Sequence, residues 1–364
     1  MSLTRRHALA AAGAAGLAGP ARAQGRGKPL VYAHRGASAL RPEHTLAAYS
    51  RAIRDGADFV EPDLVLTKDD RLVARHEPDI DETTDIAAHP EFASRRRTVE
   101  FDGRTVTGWF VCDFTLAELK TLRCKERLGP AVRPESASFD GRYPIVTFEE
   151  MIDFVEAESR ARGRLIGLVP ELKSSLWHKG QGRPLDAVFV ATVERSAYAR
   201  RAPLHVQSFE TTNLPPLRRR WGGWSNVKLV QLVGAAEQRP MDRRSTTYGA
   251  MAAPAGLKEV AAYAHVLAPP LSVIVPPGPE GRLGRPSPVV RDAHAAGLQV
   301  VGWTFRPENR FLPTDLRGPG GENARNPEGS RAEMRRHLEA GVDGFFTDDP
   351  AIGRAAADAW GTQA

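Results

Sequence analysis

Cysteine is almost absent from this chain: Cys112 and Cys124 are the only two among 364 residues. Neither lies in a CxxC or other metal-ligand spacing, so neither is given a catalytic role. An exported location would allow a disulfide, but spacing does not show that their Cα atoms come within about 7 Å, and their pairing stays open. A large excess of one charge is missing too. The formal net charge is +6, and the first 23 residues hold Arg5, Arg6 and Arg22 with no acid, so the other 341 carry +3. A chain that close to neutral is not built as a general nucleic-acid binder. The runs of three arginines at 95–97 and 218–220 read as solvated faces. The apolar stretch near the N-terminus is too short and too weak to span a membrane, so no stable membrane anchor is expected. Low-complexity linkers are also lacking, which favours one domain.

The N-terminus pairs Arg5-Arg6 with a mildly apolar run and an A-R-A site ending at Ala23. That is the layout of a cleaved export signal of the twin-arginine type, and it implies a periplasmic or extracellular protein. Beyond it, short apolar or β-branched runs alternate with helical patterns. Strands are expected at 30–34, 59–66, 72–76, 165–172, 204–209, 227–233, 266–275, 298–305 and 342–347. Helices are expected between them, in "TLAAYSRAIRDG", "TFEEMIDFVEAESRARG", "PLDAVFVATVERSAY", "GLKEVAAYA", "SPVVRDAHAAG" and "SRAEMRRHLEAG". Strand then helix, repeated about eight times, indicates an α/β fold with a parallel sheet. Residues 77–146 are too long for a βα loop and too structured for a linker, so they read as an insertion over one end of the sheet.

Glu61 and Asp63 stand two apart on a strand and share a face. On a buried strand two such carboxylates repel unless a cation lies between them, which suggests a metal with oxygen ligands of the Ca²⁺ or Mg²⁺ kind. A strand-end pair bridged to arginines fits this pair equally well. Glu171, near the end of another apolar strand in "GLVPELK", tips the balance, because strand ends of a barrel converge on one site. Lys173 and Arg35 would then be cations beside a metal, which makes sense for an anionic ligand such as phosphate. His34 and His76 each end a strand. Singly, either is more often structural; together, bracketing the carboxylates and an arginine, they are better explained as a general base and a general acid. His7, His44, His89, His178, His205, His265, His294 and His337 are assigned no chemistry.

The segments "AHRGAS", "RPEHTLAAY", "GADFVEPDLVLTKDDRLVARHEPDID", "VPELK" and "VQSF" closely resemble the glycerophosphodiester phosphodiesterase family, especially its exported bacterial branch. The resemblance runs from about residue 29 to the "GVDGFFTDDP" near the C-terminus. It implies a TIM-type (β/α)8 barrel, here over residues 28–358, with a small insertion after the second strand. It also implies one divalent cation, Ca²⁺ or Mg²⁺, on Glu61, Asp63 and Glu171, with His34 and His76 as the acid–base pair and Arg35 and Lys173 on the phosphate. The reaction implied is hydrolysis of a small-molecule glycerophosphodiester to glycerol 3-phosphate and an alcohol. Glu43 is expected to support the site or cap a helix rather than bind metal directly. Gln207 and Trp303 are further supporting residues, and Phe209, Trp303 and Phe305 are candidates for an apolar wall.

The chain departs from the family pattern at three places. Pro62 between the acids removes a ladder donor, so a bulge that shifts the metal ligands is expected there. Glu77 follows His76 where the family usually has an aspartate, which changes how that imidazole is held. Arg75 replaces a common apolar residue and has no reading from sequence. Two alternatives stand beside hydrolysis of small diesters. A lysophospholipase D would need a broad apolar approach, for which "WFVCDF" is the only candidate patch. A non-catalytic periplasmic phosphodiester receptor would not require both histidines and all three acids together. Oligomeric state is not legible.

Overall fold

The computed structural model describes residues 27–361, so the expected export signal at 1–23 lies outside the described residues. Eight parallel strands close into a barrel: β1 (Leu30–Ala33), β2 (Phe59–Val60, resuming as Asp63–Leu66), β3 (Gly167–Leu168, resuming as Glu171–Leu172), β4 (Leu204–Ser208), β5 (Val227–Leu232), β6 (Val266–Ala268), β7 (Gln299–Phe305) and β8 (Gly344–Thr347). Each pairs with the next, and β8 returns to β1 with Leu30 opposite Gly344. The run at 72–76 is no barrel strand: Leu72–Ala74 folds back antiparallel on β2. The run at 266–275 stops at Ala268 because Pro269-Pro270 follow, and Leu271–Ile274 is helical.

Helices pack outside the sheet, and their ends follow local chemistry. Phe148–Arg162 starts with a capping box, in which the Thr147 hydroxyl and the Glu150 carboxylate satisfy each other's backbone N–H groups, and it stops at left-handed Gly163. Inside the barrel Tyr32 stacks on Phe59 with centroids 4.7 Å apart, packed with Val169, Val230, Val266 and Phe346. His205 joins them through the Tyr32 hydroxyl at 2.8 Å, so it is a core histidine. Residues 77–146 contain an antiparallel hairpin, Arg97–Phe101 with Arg104–Gly108, and several single-turn helices. They share an apolar cluster of Ile80, Ile86, Phe92, Trp109, Val111, Phe114 and Leu122 with Val65 and Val73 of the β2 hairpin. Among the described residues no helix is long and apolar enough to cross a membrane.

Candidate active site

The carboxyl ends of β1 to β4 carry the site, and the backbone ladder sets its levels. The Ala33 carbonyl accepts the Glu61 N–H at 3.2 Å, the Pro62 carbonyl accepts Glu171 N–H at 2.9 Å, and the Pro170 carbonyl accepts Gln207 N–H at 2.9 Å. The bulge expected at Pro62 is not there. Phe59 pairs with Gly167 before the interruption and Asp63 with Glu171 after it, the same register on both sides. Pro62 and Pro170 interrupt the two strands in step, and each still serves as an acceptor, so the missing N–H displaces nothing. The turn after β1 is held tightly. Arg35 has φ 57°, and at Gly36 (φ 86°) a Cβ would lie 2.7 Å from the Ala48 carbonyl carbon, so only glycine fits.

Glu61, Asp63 and Glu171 converge as expected, all buried, with one oxygen of each inside a 4.8 Å group. Gln207 donates to Glu61 Oε1 at 2.5 Å and the Arg35 backbone N–H to Oε2 at 3.0 Å. Lys173 Nζ lies 2.9 Å from Glu171 Oε1, and the Arg35 guanidinium is shared between Glu43 at 3.2 Å and Asp63 at 3.3 Å. Burial and the neighbouring carboxylates push Glu61 well above the usual carboxylate range and Glu171 up to about 7. Burial would raise Asp63 too, but Lys173 and His44 outweigh it and hold Asp63 well below that range. Asp63 Oδ1 is buried with no hydrogen-bond partner. Three buried carboxylates short of positive charge, one with an open oxygen, fit a hard divalent cation held by oxygen donors.

Each expected histidine has a carboxylate on Nδ1, and each carboxylate has an arginine from the insertion. Asp348 Oδ1 is 2.6 Å from His34 Nδ1, and Arg133 joins Asp348 Oδ2 at 2.5 Å to Glu308 at 2.7 Å. The Glu77 carboxylate contacts His76 Nδ1, and Arg127 joins Glu77 at 2.7 Å to Glu43 at 2.6 Å. Glu77 is thus the residue that holds His76. Glu43 sits beneath both Arg35 and Arg127 and does not reach the carboxylate cluster itself. Burial and Arg35 lower His34 to about 4, against the pull of Asp348; burial, Arg35 and Lys173 lower His76 to about 3. Both imidazoles are neutral at neutral pH.

The sequence reading gives Asp348, Arg127 and Arg133 no role and assigns His44 no chemistry. His44 is fully buried, with Nε2 3.0 Å from Asp63 Oδ2 and Nδ1 3.0 Å from the Tyr49 hydroxyl. Its φ of 58° lifts it out of the segment before its helix. Two sequence signals were available: "PEHT" for His44 and "TDDP" for Asp348.

A cleft of about 650 Å³ leads away from His76, Glu171 and Lys173 between the insertion hairpin and the chain at 237–248. Phe209 forms one wall, with Lys173 Nζ 5.8 Å from its ring centre and Trp303 edge-on at 5.6 Å. Trp303 spends its indole N–H on the Ala268 carbonyl at 2.8 Å. Phe305 is not part of that wall. Gly302 pairs with Phe345 but Phe305 with Thr347, so one extra residue turns Phe305 to the outer face, where it is fully buried against Phe345 and His337. The apolar residues of "WFVCDF" are buried as well, which removes the only apolar approach expected for a long-chain substrate. Arg75 is a buried structural arginine whose guanidinium donates to the Ala74, Thr83 and Glu43 carbonyls and to Cys124 Sγ. Cys112 and Cys124 are free and buried.

Comparison with known proteins identifies what the chain is similar to. The model of the glycerophosphoryl diester phosphodiesterase family matches residues 34–352. Glycerophosphodiester phosphodiesterase GDPD6 of Arabidopsis thaliana is 33% identical over 335 residues, 88% of this chain and 84% of its own. A glycerophosphodiester phosphodiesterase of Treponema pallidum is 29% identical over 79% of this chain and 83% of its own. Among solved structures, an Oleispira antarctica phosphodiesterase in complex with the product sn-glycerol-3-phosphate superposes with a TM-score of 0.60 at 20% identity, covering 91% of this chain and 97% of that one. A glycerophosphodiester phosphodiesterase of Parabacteroides distasonis gives 0.55 at 18%, covering 92% and 99%. The structural likenesses carry the barrel fold. The family pattern, spanning both ends of the barrel, carries the conclusion that this chain belongs to the glycerophosphoryl diester phosphodiesterase family.

Proposed function

We propose that the chain hydrolyses small glycerophosphodiesters to glycerol 3-phosphate and an alcohol, with one divalent cation, Ca²⁺ or Mg²⁺, bound by Glu61, Asp63 and Glu171. The observation that carries this reading is the pair of carboxylate-held imidazoles flanking a three-carboxylate cluster that also contains Arg35 and Lys173. A cation held by these three carboxylates would supply charge neutralisation at the phosphate and would acidify a hydroxyl beside it. Arg35 and Lys173 bind and orient the phosphate. With Nδ1–H engaged by Asp348 or Glu77, each imidazole presents Nε2 to the substrate. One takes the proton of the glycerol 2-hydroxyl as it attacks phosphorus; the other protonates the departing alcohol. Water then opens the cyclic phosphate with the two roles reversed.

The low pKa values of His34 and His76 suit the proton-accepting role at once. The diester's negative charge beside Arg35 and Lys173 offsets those cations and raises the imidazole that must donate. The exported location read from residues 1–23 belongs to the same proposal. Product analysis tests the substrate class: incubation with glycerophosphocholine is expected to yield glycerol 3-phosphate and choline. Glycerol with phosphocholine, or no turnover, would refute it.

A further inference from the structure

A second cavity, of about 440 Å³, opens between the helices Leu271–Ile274 and Pro327–Glu339 and the chain that follows β7. Glu333 lines it. That residue is only 6% exposed, and among the described residues its carboxyl has no hydrogen-bond or ion-pair partner; burial alone pushes it up to about 8. His337, one helical turn on, does not supply a partner, because its Nδ1 faces the Glu333 main-chain carbonyl at 2.9 Å and its Nε2 the Leu271 carbonyl at 3.4 Å. Arg282, Arg306, Arg310 and Arg317 also line the cavity. Arg306 leans toward Asp348 at 3.3 Å. Arg310 donates to the Asn323 side chain and lies over the Phe311 ring, and Arg317 donates to the Leu312 carbonyl, so Arg282, Arg310 and Arg317 lack a carboxylate partner among the described residues.

Trp303 and Arg306 border both this cavity and the site already described, but Glu333, Arg282, Arg310 and Arg317 have no role in that site. A buried carboxyl without a partner is unfavourable. The three exposed guanidiniums are solvated, but with no carboxylate among them they leave a positive potential over the cavity that favours an anion. We propose that this cavity is a second ligand site for a small phosphate ester carrying a hydroxyl or primary amine, with the phosphate among the arginines and the hydroxyl or amine on Glu333. Three uncompensated guanidiniums match a dianionic phosphate better than a single carboxylate, and their planar forks suit its oxygens. A hydroxyl can pair with the protonated Glu333 carboxyl, and an ammonium can pair with its ionised form, so either group supplies the missing partner. The volume accommodates a small molecule and no more. Through Arg306 the site lies one side chain from Asp348, the carboxylate on His34.

The test is calorimetric titration of the full chain with phosphoethanolamine, glycerol 3-phosphate and inorganic phosphate, alongside glycerophosphocholine hydrolysis. The double variant Arg310→Gln/Arg317→Gln, altered only at exposed side chains, is expected to weaken phosphoethanolamine binding about tenfold or more with hydrolysis unchanged. Glu333→Gln, which keeps the shape, is expected to weaken the two esters and spare inorganic phosphate, which has no second group to place. Co-sedimentation with phosphatidylethanolamine vesicles distinguishes the source of the group. Vesicle binding that the double variant abolishes, without saturable binding of the soluble esters, overturns the free ester in favour of a lipid headgroup. Saturable binding of phosphoethanolamine that the double variant weakens supports the free ester. Binding untouched by either variant, or no saturable binding at all, overturns the site.

Discussion

His34 and Asp348 lie 314 residues apart in the chain, and their side chains meet at 2.6 Å. That contact fixes which imidazole nitrogen is free, and Arg133 keeps Asp348 ionised against the cost of burial. Asp348→Asn preserves the shape and removes the charge. Its kcat on glycerophosphocholine is expected to fall about 10²- to 10⁴-fold with KM little changed, as measured by steady-state kinetics. A kcat within twofold of the parent would show that His34 needs no such partner.

Among the described residues Arg133 is the only guanidinium on Glu308, and all three side chains of the Glu308–Arg133–Asp348 group are at most 4% exposed. Arg133→Met leaves Glu308 buried without its cation and Asp348 with only Arg306, at 3.3 Å, and His34. Denaturant unfolding is expected to show a loss of about 3–5 kcal/mol. The triple variant Arg133→Met/Glu308→Gln/Asp348→Asn, which leaves no buried carboxylate and only the partly exposed Arg306 without its partner, is expected to recover most of it.

The carboxylate cluster separates metal-free from metal-bound stability. Glu61 is pushed up by burial and by Asp63 and Glu171, so its ionisation favours the unfolded chain at neutral pH. Glu61→Gln is therefore expected to raise the thermal midpoint in EDTA. It is also expected to abolish the upward shift that Ca²⁺ or Mg²⁺ gives the parent protein. Calorimetric scans with and without cation check both signs together.

Glu333 sets a pH dependence of stability that owes nothing to the reaction. Its folded pKa, raised by burial from 4.5 to about 8, means the fold keeps a proton that the unfolded chain releases. The unfolded state then binds fewer protons, so stability falls as pH rises from about 4.5 to about 8, and levels off above. The slope from this one group is at most about 1.4 kcal/mol per pH unit. Glu333→Gln removes it, so the variant's advantage over the parent should grow across that window in urea unfolding series.

The residues readable in advance are those whose place follows from strand alternation at the end of a barrel. Glu61, Asp63, Glu171 and His34 needed only the knowledge that strand ends converge, whereas His76 follows the short strand that folds back antiparallel on β2. Arg127 and Arg133 were illegible because they come from irregular chain in the insertion, where no periodicity assigns a direction. The helix Leu214–Trp221 was missed because Pro215 and Pro216 look like breakers, yet both sit in the first turn, where no N–H is needed. Phe305 misled for the opposite reason. Simple alternation put it beside Trp303, and a register shift of one residue between Gly302 and Phe305 reversed its face. Pro62 looked like a defect because its counterpart Pro170, which matches it on the neighbouring strand, is far away in sequence.

The most direct test is glycerol 3-phosphate release from glycerophosphocholine by the parent chain and by His34→Ala, after EDTA treatment and again after adding back Ca²⁺ or Mg²⁺. The account predicts that release by the parent stops in EDTA and returns with the cation. It also predicts that His34→Ala releases nothing in either condition while still gaining thermal stability from the cation. Release that persists in EDTA, or that survives in His34→Ala at the parent's rate, would contradict it.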